Sequence, residues 1–140
     1  YQPVLEETPF QVGPYRCLAI RTAHPAPNAA FLIRHGAKGF CFTGDTGPTE
    51  RLWERLSAEE RLDALLIEVS FPDRLAEVAR LTGHLTPASL AEGLARWKRR
   101  GAPVFLTHLK PEMEGEIRAE VEALGLAACR FLEQGETLRL

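Results

Sequence analysis

Two carboxylates and three histidines stand where a side chain of this sequence can do chemistry. Asp45 lies in Thr43-Gly44-Asp45-Thr46-Gly47-Pro48, directly after the apolar run Gly39-Phe40-Cys41-Phe42. Glu68 closes the run Leu65-Leu66-Ile67, and His108 follows Pro103-Val104-Phe105-Leu106-Thr107. His24 ends the long arm of a hairpin just before Pro25, and His84 sits in a Thr-Gly-His-Leu-Thr loop ahead of a helix. If the strands ending at Asp45, Glu68 and His108 are parallel, their carboxyl ends share one rim, where open α/β sheets bind ligands. Carboxylate and imidazole donors gathered on such a rim suit a divalent cation and metal-assisted hydrolysis.

Each residue also has a plainer reading. Asp45, set between two glycines, can be a turn residue capping the helix that starts near Pro48. A lone histidine at a strand end, as at His24 or His108, is often structural, and His84 can be a neighbour of a helix cap. Glu68 needs a partner in either case, because a buried unpaired carboxylate is costly. His35, in the Arg34-His35-Gly36 turn, is assigned to a solvated hairpin. The run Trp97-Lys98-Arg99-Arg100 is assigned to a solvated helix terminus, where cations suit the helix dipole.

The elements that must position these residues follow from pattern and punctuation. Phe10 to Thr22 is strand-like around a Gly13-Pro14 turn, Ala29 to Arg34 is a strand, and Gly36 to Gly39 turns into Phe40 to Thr43, which predicts an antiparallel β layer. Pro48 to Leu56 predicts a short amphipathic helix, and Ser57-Ala58-Glu59-Glu60 resembles a capping-box start. Leu62 to Val69 predicts a strand buried on both faces of a parallel sheet. Helices are expected over about Pro72 to Leu81, over Ala88 to Arg100 behind the Thr86-Pro87 cap, and over Pro111 to Leu124 up to Gly125. Strands are expected at Pro103 to Thr107, Ala128 to Leu132 and Thr137 to Leu140. The class is α/β, or α+β by some criteria, with residues 1–140 forming a single domain.

Composition narrows the function classes. The chain has 140 residues, 45% of them hydrophobic and 26% charged, which suits one domain with a real core. A net charge of −2 gives no steering toward nucleic acid or an anionic membrane. No apolar run approaches a membrane span and no signal peptide opens the chain, so no membrane partner is expected. Cys17, Cys41 and Cys129 lie in apolar runs with no Cys-x-x-Cys spacing, as expected of reduced core thiols in a cytoplasmic protein. The chain opens on Tyr1-Gln2-Pro3 and its single methionine is Met113, which suggests a cleaved product, a fragment or a chain whose beginning is not given.

With these residues in view, the sequence from about Pro9 onward resembles the carboxyl-terminal half of the metallo-β-lactamase superfamily. Thr-Gly-Asp45-Thr-Gly-Pro is similar to its strand-end aspartate, His24 to the histidine before a hairpin, and His108 in Thr-His-Leu-Lys-Pro to its last metal-binding histidine. Glu68-Val-Ser-Phe and Gly83-His84-Leu-Thr-Pro are similar, in order and wording, to the class II 3′,5′-cyclic-nucleotide phosphodiesterases. A second likeness is to tRNA 3′-processing endonucleases. The resemblance implies one half of an αββα sandwich and two divalent ions, zinc first, with manganese or iron compatible with the same donors. It implies His24, Asp45 and His108 as metal ligands, with Asp45 bridging, and a metal-bound hydroxide attacking phosphorus. It further implies a catalytic role for Asp45, Glu68 and His84, with His84, oriented by Glu68, holding a phosphate oxygen or protonating the leaving oxygen.

The superfamily's His-x-His-x-Asp-His motif is absent from these residues. The resemblance therefore implies an incomplete metal site and little catalysis in this chain alone, completed by an amino-terminal half or a second chain. The expected substrate is a small cyclic nucleotide. RNA or another phosphodiester is the alternative within hydrolases, and a catalytically silent interaction module is the alternative outside them.

Overall fold

The computed structural model describes residues 3–98, 101–126 and 128–139. Strands β1 (Phe10–Val12), β2 (Tyr15–Arg21), β3 (Ala29–His35), β4 (Lys38–Phe42), β5 (Ala64–Glu68), β6 (Val104–Thr107) and β7 (Cys129–Phe131) form one seven-stranded sheet in sequence order. β1 to β4 pair antiparallel and β4 to β7 pair parallel, so the antiparallel layer and the parallel series are continuous. Parallel neighbours need crossovers. These are α1 (Glu50–Ala58), then α2 (Ala76–Thr82) with α3 (Pro87–Arg96), then α4 (Glu114–Ala123).

Alternation along the strands decides which face meets the helices. Leu18, Ile20, Leu32, Cys41, Leu65, Ile67, Val104 and Leu106 belong to one buried cluster with Leu52, Trp53 and Leu56 of α1, Leu90 of α3, and Ile117 and Val121 of α4. Gly93 lets α3 lie against α1, since a Cβ there would fall 2.5 Å from the Trp53 ring. Phe31, Ile33, Phe40, Phe42 and Leu66 alternate onto the other face, where Phe42 keeps 44% of its surface exposed. The expected burial of β5 on both faces is thus corrected: Leu65 and Ile67 are enclosed, whereas Leu66 is only half-buried because no helix among the described residues packs on its side.

Three further expectations are corrected. Ser57 and Ala58 close α1 rather than opening a helix, and Ser57 Oγ accepts a bond from the Lys98 backbone N–H. A capping box needs helical residues after it, and Arg61-Leu62-Asp63 leads straight into β5. Thr137 to Arg139 form no strand, and Leu140 lies outside the described residues. So few residues bury too little to hold a further edge strand. Finally, α3 ends at Arg96, short of the expected Arg100, and Arg99 and Arg100 lie outside the described residues. Trp97 is 2% exposed, so the chain turns there to bury an indole instead of continuing as a solvated helix.

The cysteines are free thiols, Cys17 and Cys41 buried and Cys129 only half-buried. Burial pushes the Cys41 thiol up to about 12, helped by the Glu59 charge, and the Cys129 thiol up to about 11. Among the described residues, no helix is long and apolar enough to cross a membrane.

Candidate metal centre

The carboxyl ends of β4, β5 and β6 lie side by side because their ladders run in parallel register, Phe42 beside Leu66 and Glu68 beside Thr107. Backbone bonds extend this order past the strands: Thr43 N–H to Leu66 O at 3.0 Å, and Val69 N–H to Thr107 O at 3.0 Å. Asp45, Glu68 and His108 therefore emerge at one rim. The loop after α2 joins them, since Ser70 and Phe71 both donate backbone N–H groups to Leu85 O.

Glycine brings His24 to the same place. Gly83 has φ 71, and a Cβ on it would meet Pro25 Cδ at 2.6 Å, Ala23 O at 2.8 Å and His24 Cα at 2.9 Å. Only a residue without a side chain permits that approach. The His24 and His84 rings consequently meet edge to face at 5.4 Å, and the His84 and His108 rings lie 5.4 Å apart. His108 itself has φ 63, a left-handed backbone that a non-glycine residue adopts only where its surroundings enforce it.

Ligating atoms of Asp45, Glu68, His84 and His108 all lie within 4.8 Å of one another. Proximity and availability differ within this group. Glu68 is 1% exposed. Its Oε1 accepts from Thr46 N–H at 2.8 Å and from His84 Nδ1 at 2.7 Å. Its Oε2 accepts from Ser70 Oγ at 2.5 Å and from Leu85 N–H at 3.3 Å. An ionised carboxylate offers about four acceptor positions, and here all are taken, so Glu68 orients its neighbours and is no ligand despite its proximity.

Asp45 is in the opposite condition. Its carboxylate is 38% exposed and faces His108 Nδ1 at 3.3 Å. It does not cap α1, whose N-cap is Thr49. Asn28 fixes the Asp45 backbone instead, donating from Nδ2 to Asp45 O at 2.7 Å while its Oδ1 accepts from Ala29 N–H at 2.8 Å. His24 stands at one remove, beside His84 and outside the tight group, with Nδ1 against the Ala26 backbone at 3.3 Å. His84 lies two residues before Thr86, which caps α3 by exchanging bonds with Ser89, but it takes no part in the cap. His35 is exposed against Tyr15, as expected of a solvated hairpin.

Within the tight group two side chains fit a divalent cation: the open carboxylate of Asp45 and the His108 imidazole, whose Nδ1 is engaged by Ser70 and Asp45. Carboxylate oxygen and imidazole nitrogen are both donors that zinc accepts. Sequence reasoning missed Thr46, Ser70 and Asn28, which act through hydrogen bonds to residues 17 to 38 positions away. Thr46 and Ser70 do stand in the Thr43-Gly44-Asp45-Thr46-Gly47-Pro48 and Glu68-Val69-Ser70-Phe71 stretches that carried the resemblance, but nothing in those stretches showed the bonds they make.

This sheet, its helix layer and its rim define a metallo-β-lactamase fold, and solved structures of that fold match the chain. YhfI from Bacillus subtilis matches 97% of this chain at 22% identity, with a TM-score of 0.73 over 53% of its own length. Zn2+-bound PqqB from Methylobacterium extorquens matches 99% at 22% identity, with a TM-score of 0.65 over 52% of its length. The human short-form tRNase Z matches 74% at 24% identity, with a TM-score of 0.59 over 39% of its length. The chain thus spans about half the length of the first and second of these. No protein-family model matches it, and no curated protein does.

Proposed function

We propose that this chain is the carboxyl-terminal half of a metal-dependent phosphodiesterase acting on 3′,5′-cyclic nucleotides. The observation that carries the reading is the pair His84–Glu68. An imidazole is held at 2.7 Å by a buried, saturated carboxylate, beside an open aspartate and a second histidine. Metal-assisted phosphodiester hydrolysis needs both halves of that arrangement, a cation site and a positioned proton donor. His24, Asp45 and His108 would hold cations, and the remaining donors would come from an upstream segment or a second chain. A divalent cation, zinc first and manganese or iron as alternatives, supplies Lewis acidity at the phosphate and lowers the proton affinity of bound water.

The rest falls to the chain's own residues. A water oxygen bonds to phosphorus and gives up a proton to solvent, a ribose P–O bond breaks, and its electron pair leaves on the ribose oxygen. His84, with Nδ1–H fixed by Glu68, delivers a proton to that oxygen from Nε2. Glu68 makes no contact with substrate and acts by orienting the ring. A net charge of −2 favours a small substrate over a long nucleic acid.

In the full protein carrying this chain, His84→Ala is expected to lower kcat by about 10²–10⁴-fold with metal content unchanged. Glu68→Gln should lower it less. A phosphodiester with a nitrophenolate leaving group, which needs no proton, should restore most of the His84→Ala loss. An unrescued loss would make His84 a phosphate-binding group, and loss of metal would make it a ligand. Turnover of RNA in preference to cyclic nucleotides would move the substrate class, and the absence of stoichiometric metal would leave an interaction module.

A further inference from the structure

Ser70 is fully buried at 0% exposure, and its single hydroxyl touches both halves of the site. Oγ lies 2.5 Å from Glu68 Oε2 and 2.8 Å from His108 Nδ1. A serine hydroxyl has one proton to donate. Glu68 receives N–H groups from Thr46 and Leu85 that can only donate, so it is the acceptor in this network. The Ser70 proton must therefore point at Glu68 Oε2, because otherwise two oxygen lone pairs would face each other at 2.5 Å. Ser70 Oγ is then an acceptor toward His108, and Nδ1 must carry the hydrogen. A second acceptor agrees: Asp45 Oδ1 lies 3.3 Å from the same Nδ1.

We infer that Ser70 is a positioning residue that fixes His108 as its Nδ1–H tautomer and so reserves Nε2 for a ligand in the metal centre. Its hydroxyl also joins two functions that the chain carries on separate strands. Glu68 orients His84 through Oε1 and, through Oε2 and Ser70, orients His108 as well. One buried carboxylate thus sets the rings of both the proton donor and a metal-binding histidine. The arrangement is of the kind in which an outer hydrogen bond selects the imidazole tautomer and raises ligand basicity. The tautomer assignment stands on the hydrogen bonds alone; only its use, to present Nε2 to a cation, rests on the proposed function.

The test is ring 15N spectroscopy of neutral His108 in the metal-free full protein, with Ser70→Ala and Ser70→Thr beside the wild type. We expect protonated Nδ1 and unprotonated Nε2 in the wild type and in Ser70→Thr, which keeps the hydroxyl. Ser70→Ala should shift His108 toward the Nε2–H form and weaken zinc binding by about 10–100-fold, the usual effect of removing such a support. Wild-type His108 found as Nε2–H would overturn the inference, without any variant needing to fold. So would a Ser70→Ala protein that keeps Nδ1–H, because Asp45 would then be the residue that sets the ring. An Nδ1–H ring in a protein that hydrolyses no phosphodiester would remove the proposed function and support the tautomer assignment.

Discussion

Four donors converge on the two oxygens of Glu68, and two of them are backbone N–H groups that cannot turn away. Glu68→Gln keeps the shape but replaces one oxygen by an amide that can only donate. Whichever way the amide lies, it meets the N–H of Thr46 or of Leu85, and one buried donor is left unpaired. A group so stranded costs about 1–3 kcal/mol. We expect that loss of stability, read as a lower urea midpoint with an unchanged denaturant slope. An unchanged midpoint would mean that the carboxylate is not the acceptor drawn here. The same residue shows why part of the site was legible in the sequence. A charge that ends Leu65-Leu66-Ile67 must find a partner, so the position of Glu68 alone implies a polar network around it. The positions of Ser70 and Asn28 imply none, because their partners His108 and Asp45 become neighbours only when β5 pairs β6 and when the β3 and β4 loops meet.

Among the elements, those with local punctuation were legible and those needing a distant partner were not. Gly13, Gly36 and Gly125 mark two turns and a helix end with left-handed backbones, and Thr86-Pro87 opens α3 as expected. The capping-box pattern at Ser57 and the strand expected at Thr137 were misleading, since Ser57 closes α1 and the chain then runs directly into β5, while Thr137 to Arg139 pair with no neighbouring strand. Gly83 is the element-scale counterpart of Glu68, because the loops carrying His24 and His84 touch through it. Gly83→Ala would place a methyl 2.6 Å from Pro25 Cδ on a left-handed backbone. Both effects oppose the fold, and overpacking of this kind costs about 1–3 kcal/mol. We also expect the His24–His84 ring contact to be lost, measured by nuclear Overhauser effects between the two rings. A destabilised variant that keeps the ring contact would show that Gly83 serves stability and does not set the spacing of the site.

At the scale of the whole molecule, one face of the sheet is closed by α1, α3 and α4 and the other carries Phe31, Ile33, Phe40, Phe42 and Leu66. Glu68, two residues after Leu66 on β5, shares its face, so the rim opens toward this second face. Parallel strands are found covered on both sides, and a contiguous aromatic face of this kind marks a surface that another layer meets. We propose that the segment covering the face is also the one that brings the remaining metal donors. Cover and coordination should then fail together. The chain alone should sediment above its mass of 15.6 kDa by self-association, or bind a hydrophobic dye. Phe42→Glu should suppress this without unfolding the chain, because Phe42 is already 44% exposed. Placed in the full protein, the same substitution should weaken zinc retention even though it touches none of Asp45, His24 or His108, since it drives the covering layer off. A wild-type chain that is a soluble monomer with no dye binding would refute the cover. Full zinc retention in Phe42→Glu would separate the cover from the metal donors.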